Sequence, residues 1–166
     1  MLPIKAILAL LLTALVWSDS SSARSGIDLH WLWDDRCLGC HGHSADFARA
    51  MLHVEEGELR GVHHETDLRT FLHNHYLAGM EVDAVYRMLM AQARTPPRFS
   101  EECRRCHDSA VDLVRESAEL RDGVLYSRKS GRVMREFLDG HRHLDAADAA
   151  FFDELLTRIA SEVYRP

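Results

Sequence analysis

Apolar residues recur along most of this chain at helical rather than alternating spacing. The segments "SADFARAMLHV" (44–54) and "SAVDLVRESAEL" (109–120) each place an apolar stripe on one helix face. Two further segments, "EVDAVYRMLMAQA" (81–93) and "AADAAFFDELLTRIASEVY" (146–164), do the same. In the second, Ala150, Phe151, Leu155 and Ile159, with Phe152 beside them, form the expected core face. Short helices are predicted through "RTFLHNH" (69–75) and "REFLDGH" (135–141), each preceded by a glycine-containing loop. Thr66 is the expected N-cap of the first, with Arg69 in the third helical position. No alternating run of Val, Ile and Thr is long enough to predict a strand, so the expected fold class is all-α.

The pattern is also periodic. Shifted by 66 positions, the chain matches itself at 13 of 64 aligned residues without a gap. Asp46 falls on Asp112, Arg49 on Arg115, Gly57 on Gly123 and Leu59 on Leu125. The Arg, Phe, Leu and His of the two short helices coincide, as do Ala84 with Ala150 and Leu89 with Leu155. Clustering on such distinctive residues points to duplication. Two units are expected, 27–94 and 95–166, joined through "ARTPPRFS" (93–100), whose prolines suit a linker.

Residues 1–23 read as an export signal. Lys5 precedes an apolar run from Ile7 to Trp17, and small residues prepare a cleavage site after Ala23. The run is short for a membrane span, and an uncleaved signal would be the only link to a membrane. The remaining chain suffices for one ordinary domain or two very small ones. A net charge of −6, with both signs interspersed, shows no basic stripe and excludes nucleic acid as the expected partner.

All four cysteines lie in two "CxxCH" motifs that the repeat superimposes: Cys37, Cys40 and His41, then Cys103, Cys106 and His107. A thioredoxin-like dithiol has no use for the histidine, and a disulfide within CxxC is strained. Zinc is the serious alternative, either shared by the four cysteines or as one Cys2His2 site per unit. Covalent haem accounts for more. The thiols form thioethers with the porphyrin, and the histidine that follows becomes the proximal iron ligand. A buried haem also supplies apolar core to a unit too small to build much of its own. Its attachment outside the cytoplasm agrees with an export signal.

On these motifs and the helices around them, the chain resembles a dihaem c-type cytochrome. It looks like two small class I-like units in tandem, each wrapping one covalent haem. The resemblance covers the whole mature chain and implies two haem c groups held by Cys37, Cys40, Cys103 and Cys106, with His41 and His107 as proximal ligands. It also implies a methionine as second axial ligand, and there this sequence departs. Met80 falls on Ala146 and Met134 on Leu68, while Met51, Met88 and Met90 suit a helix core. Apart from the proximal ligands, only His75 and His141 coincide in the repeat, so they are the expected distal ligands. Capping of a helix C-terminus is their alternative role. The Arg-x-Phe-Leu frame is expected to set Phe71, Leu72, Phe137 and Leu138 near the haem face.

The remaining histidines, His30 and His143 among them, read as solvated. The repeated Arg49/Arg115 and Arg69/Arg135 suit either haem propionates or the surface. Two nitrogen ligands per iron leave no position for substrate. The expectation is therefore a periplasmic electron carrier rather than an enzyme, with redox proteins as partners, or an electron-transfer subunit of a larger oxidoreductase. A haem enzyme acting on peroxide or on sulfur or nitrogen compounds would need one iron left open or exchangeable.

Overall fold

A computed structural model describes residues 26–63 and 67–164; the export-signal reading of 1–23 and the proposed cap Thr66 lie outside the described residues. Each half of the chain uses the same succession of elements. The first half comprises α1 (Leu29–Arg36), α2 (Leu38–His41), α3 (Ser44–Met51), β1 (Leu52–Glu55), β2 (Glu58–Gly61), α4 (Leu68–His73) and α5 (Met80–Arg94). The second has α6 (Ala110–Ser117), β3 (Ala118–Arg121), β4 (Val124–Ser127), α7 (Met134–Leu138) and α8 (Ala146–Val163). From α3 and α6 onward, every element starts at the same place in the 66-residue repeat.

The fold is mostly helical, but the all-α expectation needs correcting. Each glycine-containing loop is the turn of a two-stranded antiparallel hairpin, with Glu55 opposite Glu58 and Arg121 opposite Val124. Glu56 and Gly57 have φ of 50° and 84°, and Asp122 and Gly123 have 48° and 78°. Two successive left-handed residues make the tight turn that matches strand twist, and Asp-Gly favours it. The strands are four residues long and carry leucine and alanine inward, so they lack the β-branched alternation that reveals longer strands.

Local chemistry fixes the helix starts. Asp28 accepts from the backbone N–H groups of His30 and Trp31, Ser109 from that of Asp112, and Asp145 from those of Ala147 and Asp148. For α4 the cap is Asp67, which accepts from the Thr70 N–H at 3.2 Å and makes Arg69 the second helical residue. The expected linker is only partly one. Residues 96–97 are its prolines, and Phe99–Cys103 form a π-helical turn where the first half has α1. Proline costs the second half a full counterpart of that helix.

Each half has its own hydrophobic cluster, one spanning Leu29 to Leu89 and the other Val114 to Val163. Equivalent positions are buried in both although the residues differ: Ala48 and Val114, Leu52 and Ala118, Leu68 and Met134, Tyr86 and Phe152. The core face of α8 includes the expected Phe152, Leu155 and Ile159, extended by Leu156 and Val163, whereas Ala150 is only partly buried and Phe151 is half-buried beneath the Arg98 guanidinium. Tyr86 is buried with its hydroxyl accepting from the Leu59 N–H at 2.7 Å and donating to Glu58 at 2.6 Å. Tyr86→Phe strands that N–H and is expected to lower unfolding stability by about 1–2 kcal/mol, read from urea denaturation.

The halves meet through α1 and α8. Leu29, Leu32 and Trp33 of α1 face the first core, whereas His30 faces the second half. Its Nε2 lies 2.8 Å from Glu162 Oε2, and both side chains are over nine-tenths buried. His30 is thus not the solvated residue expected from sequence. Nearby, Arg115 donates twice to Asp28, at 3.0 and 2.7 Å, so one carboxylate caps α1 and ties it to α6.

Candidate functional site

The two CxxCH motifs adopt the same helical turn. His41 N–H donates to the Cys37 carbonyl at 2.9 Å, and His107 N–H to that of Cys103 at 3.1 Å. The turn sets the two cysteines three residues apart and the histidine one further, on one face. In each motif the first cysteine packs against its hydrophobic cluster and the second is exposed. No disulfide joins them.

Burial pushes the Cys37 thiol up, against the pull of Arg36. Burial, then Glu102, pushes Cys103 up against Arg142 and Arg98. An attacking redox dithiol needs its thiolate stabilised, so these environments oppose that chemistry. Among the described residues, no group of three or more His, Cys, Asp and Glu side chains converges as metal donors. A preformed tetrahedral zinc site needs four such donors.

The structure brings His41 and His75 together, and places His141 near enough to feel the charge of His107. The ring of His75 faces that of His41 with centroids 5.9 Å apart. An ion bound by one nitrogen of each ring on opposite sides would set the centroids about 6 Å apart, with about 2 Å per bond. Desolvation, then the neighbouring His75, holds His41 below the usual imidazole range. In the second half desolvation, then His107, then Arg142, does the same to His141. Neutral imidazole is the form that binds a metal, so these shifts favour ligation.

His75 and His141 both follow a short helix. Helix α4 ends at His73 and α7 at Leu138; His75 lies beyond the first, and His141 opens a 3-10 turn over His141–His143. The next residue, Tyr76 in one half and Arg142 in the other, has a left-handed φ of 63° or 54°. The left-handed residue recurs at one repeat position and turns the chain away after each histidine. Phe71 stacks on His75 at 4.8 Å, and Phe137 lies 4.8 Å from His141. Leu72 and Leu138 are buried in the two cores, so only the phenylalanines of the expected frame reach the histidines.

Another repeated pair escaped sequence comparison because it precedes the first cysteine. Trp33 lies 6.1 Å from His41, and its repeat partner Phe99 lies 6.5 Å from His107. Around the histidine pairs, large apolar side chains are left open to solvent. Tyr76 is 76% exposed, Met80 88% and Phe137 47%. Such apolar surface beside convergent polar groups is what a flat apolar ligand would cover.

The other expected participants are engaged elsewhere. Arg49 pairs with Asp46, and Arg69 with Glu58 and Asp83; Arg135 donates to the Ala146 carbonyl. Met134 is buried in the second core. His43, His53, His63, His73 and His143 are exposed, as expected, and His64 lies outside the described residues. No known family model, curated protein or solved structure matches the chain.

Proposed function

We propose that this protein is an exported electron carrier with two covalently attached haems. Cys37 and Cys40 hold the first as thioethers, and Cys103 and Cys106 the second. His41 with His75, and His107 with His141, supply the axial nitrogens. The observation that carries this reading is the approach of His41 and His75, 5.9 Å apart, at positions that the repeat reproduces as His107 and His141. A porphyrin needs this donor set: two opposed imidazoles plus two cysteines on the proximal side, where zinc would need four convergent donors. The exposed Tyr76, Met80 and Phe137 offer apolar surface for the macrocycle to cover.

The haem supplies reversible one-electron chemistry. The protein's own part is to orient the imidazoles, to leave no vacant position for substrate, and to bury part of the haem. Two nitrogen ligands in place of a thioether favour ferric iron and a low potential. Redox proteins are the expected partners, either in free exchange or within a larger oxidoreductase. Periplasmic localisation rests on the segment 1–23. Among the described residues, no helix is long and apolar enough to cross a membrane.

Optical and low-temperature EPR spectra of the oxidised, purified protein test the proposal. Two low-spin haems are expected, with no sulfur-to-iron charge-transfer band in the red and no response to added cyanide. A high-spin haem that binds cyanide would overturn the carrier reading for that unit and favour an enzyme. Absence of haem after expression with a covalent-attachment system would return the cysteines to zinc.

A further inference from the structure

The two candidate sites share a geometry but not a charge. Three repeat positions change charge between the halves: the two between the cysteines and the one after His75 or His141. In the first half they are Leu38, Gly39 and Tyr76, all uncharged. In the second half all three are arginine: Arg104, Arg105 and Arg142. The left-handed backbone at Arg142 folds its side chain back over the motif, with Nη1 3.8 Å from Cys106 Sγ. Arg104 and Arg105 are exposed.

The acids nearby do not reverse this. In the first half, Arg36 is neutralised by Glu81 at 2.8 Å, and Asp34 and Asp35 stand exposed in the last turn of α1. Asp34 lines a cavity together with Arg104 and Asp108, so Asp35 is the surplus acid of the first site. In the second half, Arg98 holds both Glu102 and Asp148, at 2.6 and 2.7 Å. Glu101 and Asp108 are the remaining acids of the segment. Against these four acids stand four arginines, three of them unmatched in the first half.

We infer that the chain is electrically directional: the second site is the higher-potential end, and Arg142, with Arg104 and Arg105, sets the difference. This rests on the dihaem reading. Ferric iron carries one more positive charge than ferrous, so a fixed cation nearby disfavours the oxidised state and raises the potential. A surplus carboxylate does the reverse. Electrons entering at the first unit settle on the second and leave there. Arg142 lies 3.8 Å from the attachment cysteine, so its field acts over the shortest distance shown. All three arginines are exposed and lose influence as salt rises.

The test is a spectroelectrochemical titration of the full-length, haem-loaded protein and two variants, with haem content checked by mass. Arg142→Tyr combined with Arg104→Leu and Arg105→Gly gives the second site the residues of the first. The higher of the two potentials should move down while the lower holds. The reciprocal Tyr76→Arg should move the lower potential up and narrow the gap. In the unaltered protein the gap should also shrink with added salt. Two haems with unmoved potentials, or a downward shift in the lower one, would overturn the directional inference and leave the carrier reading standing. A chain without covalent haem would overturn both.

Discussion

Replacing His75 by alanine is expected to convert one of the two haems from low-spin to high-spin, changing about half of the haem absorbance. The other haem should be untouched, because His141 belongs to a separate site with its own helix and cluster. The reasoning is geometric. His75 is stacked on Phe71, flanked by Tyr76 at 5.1 Å and opposed to His41, so its position is set by packing rather than by chance exposure. The left-handed Tyr76 turns the chain immediately afterwards. Added imidazole should restore the low-spin spectrum by filling the vacated position. Met80 is only five residues away and exposed, so its thioether is placed to swing in. If it does, a sulfur-to-iron band should appear in the red and the potential of that haem should rise. Either result identifies His75 as the ligand. A variant with both haems still low-spin and no new band would show that His75 only ends a helix.

Much of this architecture was legible before any coordinates. The 66-residue shift locates α3 through α5 and α6 through α8 because identities survive at turns, ligand positions and short-helix frames. Core positions drifted instead: Tyr86 became Phe152 and Leu68 became Met134, which keeps burial while erasing identity. The His41–His75 pairing was legible because both residues repeat, and repetition is independent of distance along the chain. The hairpins were missed because four-residue strands are too short for a period of two to show. The Asp122-Gly123 turn was their one sequence signal, and Glu56-Gly57 gave only half of it. The N-cap of α4 shifted by one residue because Asp67 tolerates the left-handed conformation the turn demands. Trp33 and Phe99 were overlooked because a proline-broken segment hides the equivalence of α1 and the π-helical turn. The seam was invisible for a deeper reason. His30 and Glu162 are 132 residues apart, and neither has a repeat partner of like chemistry.

That seam carries the second large effect. Glu162→Ala should destabilise the protein by about 3 kcal/mol, the low end for breaking a buried ionic contact. Glu162 accepts from Arg158 at 2.6 Å and meets His30 at 2.8 Å, with its side chain only 9% exposed. Removing it leaves an imidazole with its Nε2 partner gone inside the α1–α8 contact, and frees Arg158 to point at the void. The Arg158 side chain keeps partial access to solvent, which is why the low end applies. The effect should also be directional in space. Helix α1 belongs to the first core through Leu29, Leu32 and Trp33, so cutting its tie to α8 should loosen the halves from each other before either unfolds. Urea denaturation followed separately by Trp fluorescence and by far-UV circular dichroism reads both quantities. The midpoint should fall, and the two curves should part company in the variant. His30→Ala alone should cost a similar amount, and the double variant little more than either, because both remove one shared contact. Additive losses would instead mean that the two residues act through separate neighbours and that the Asp28–Arg115 pair alone holds the halves together.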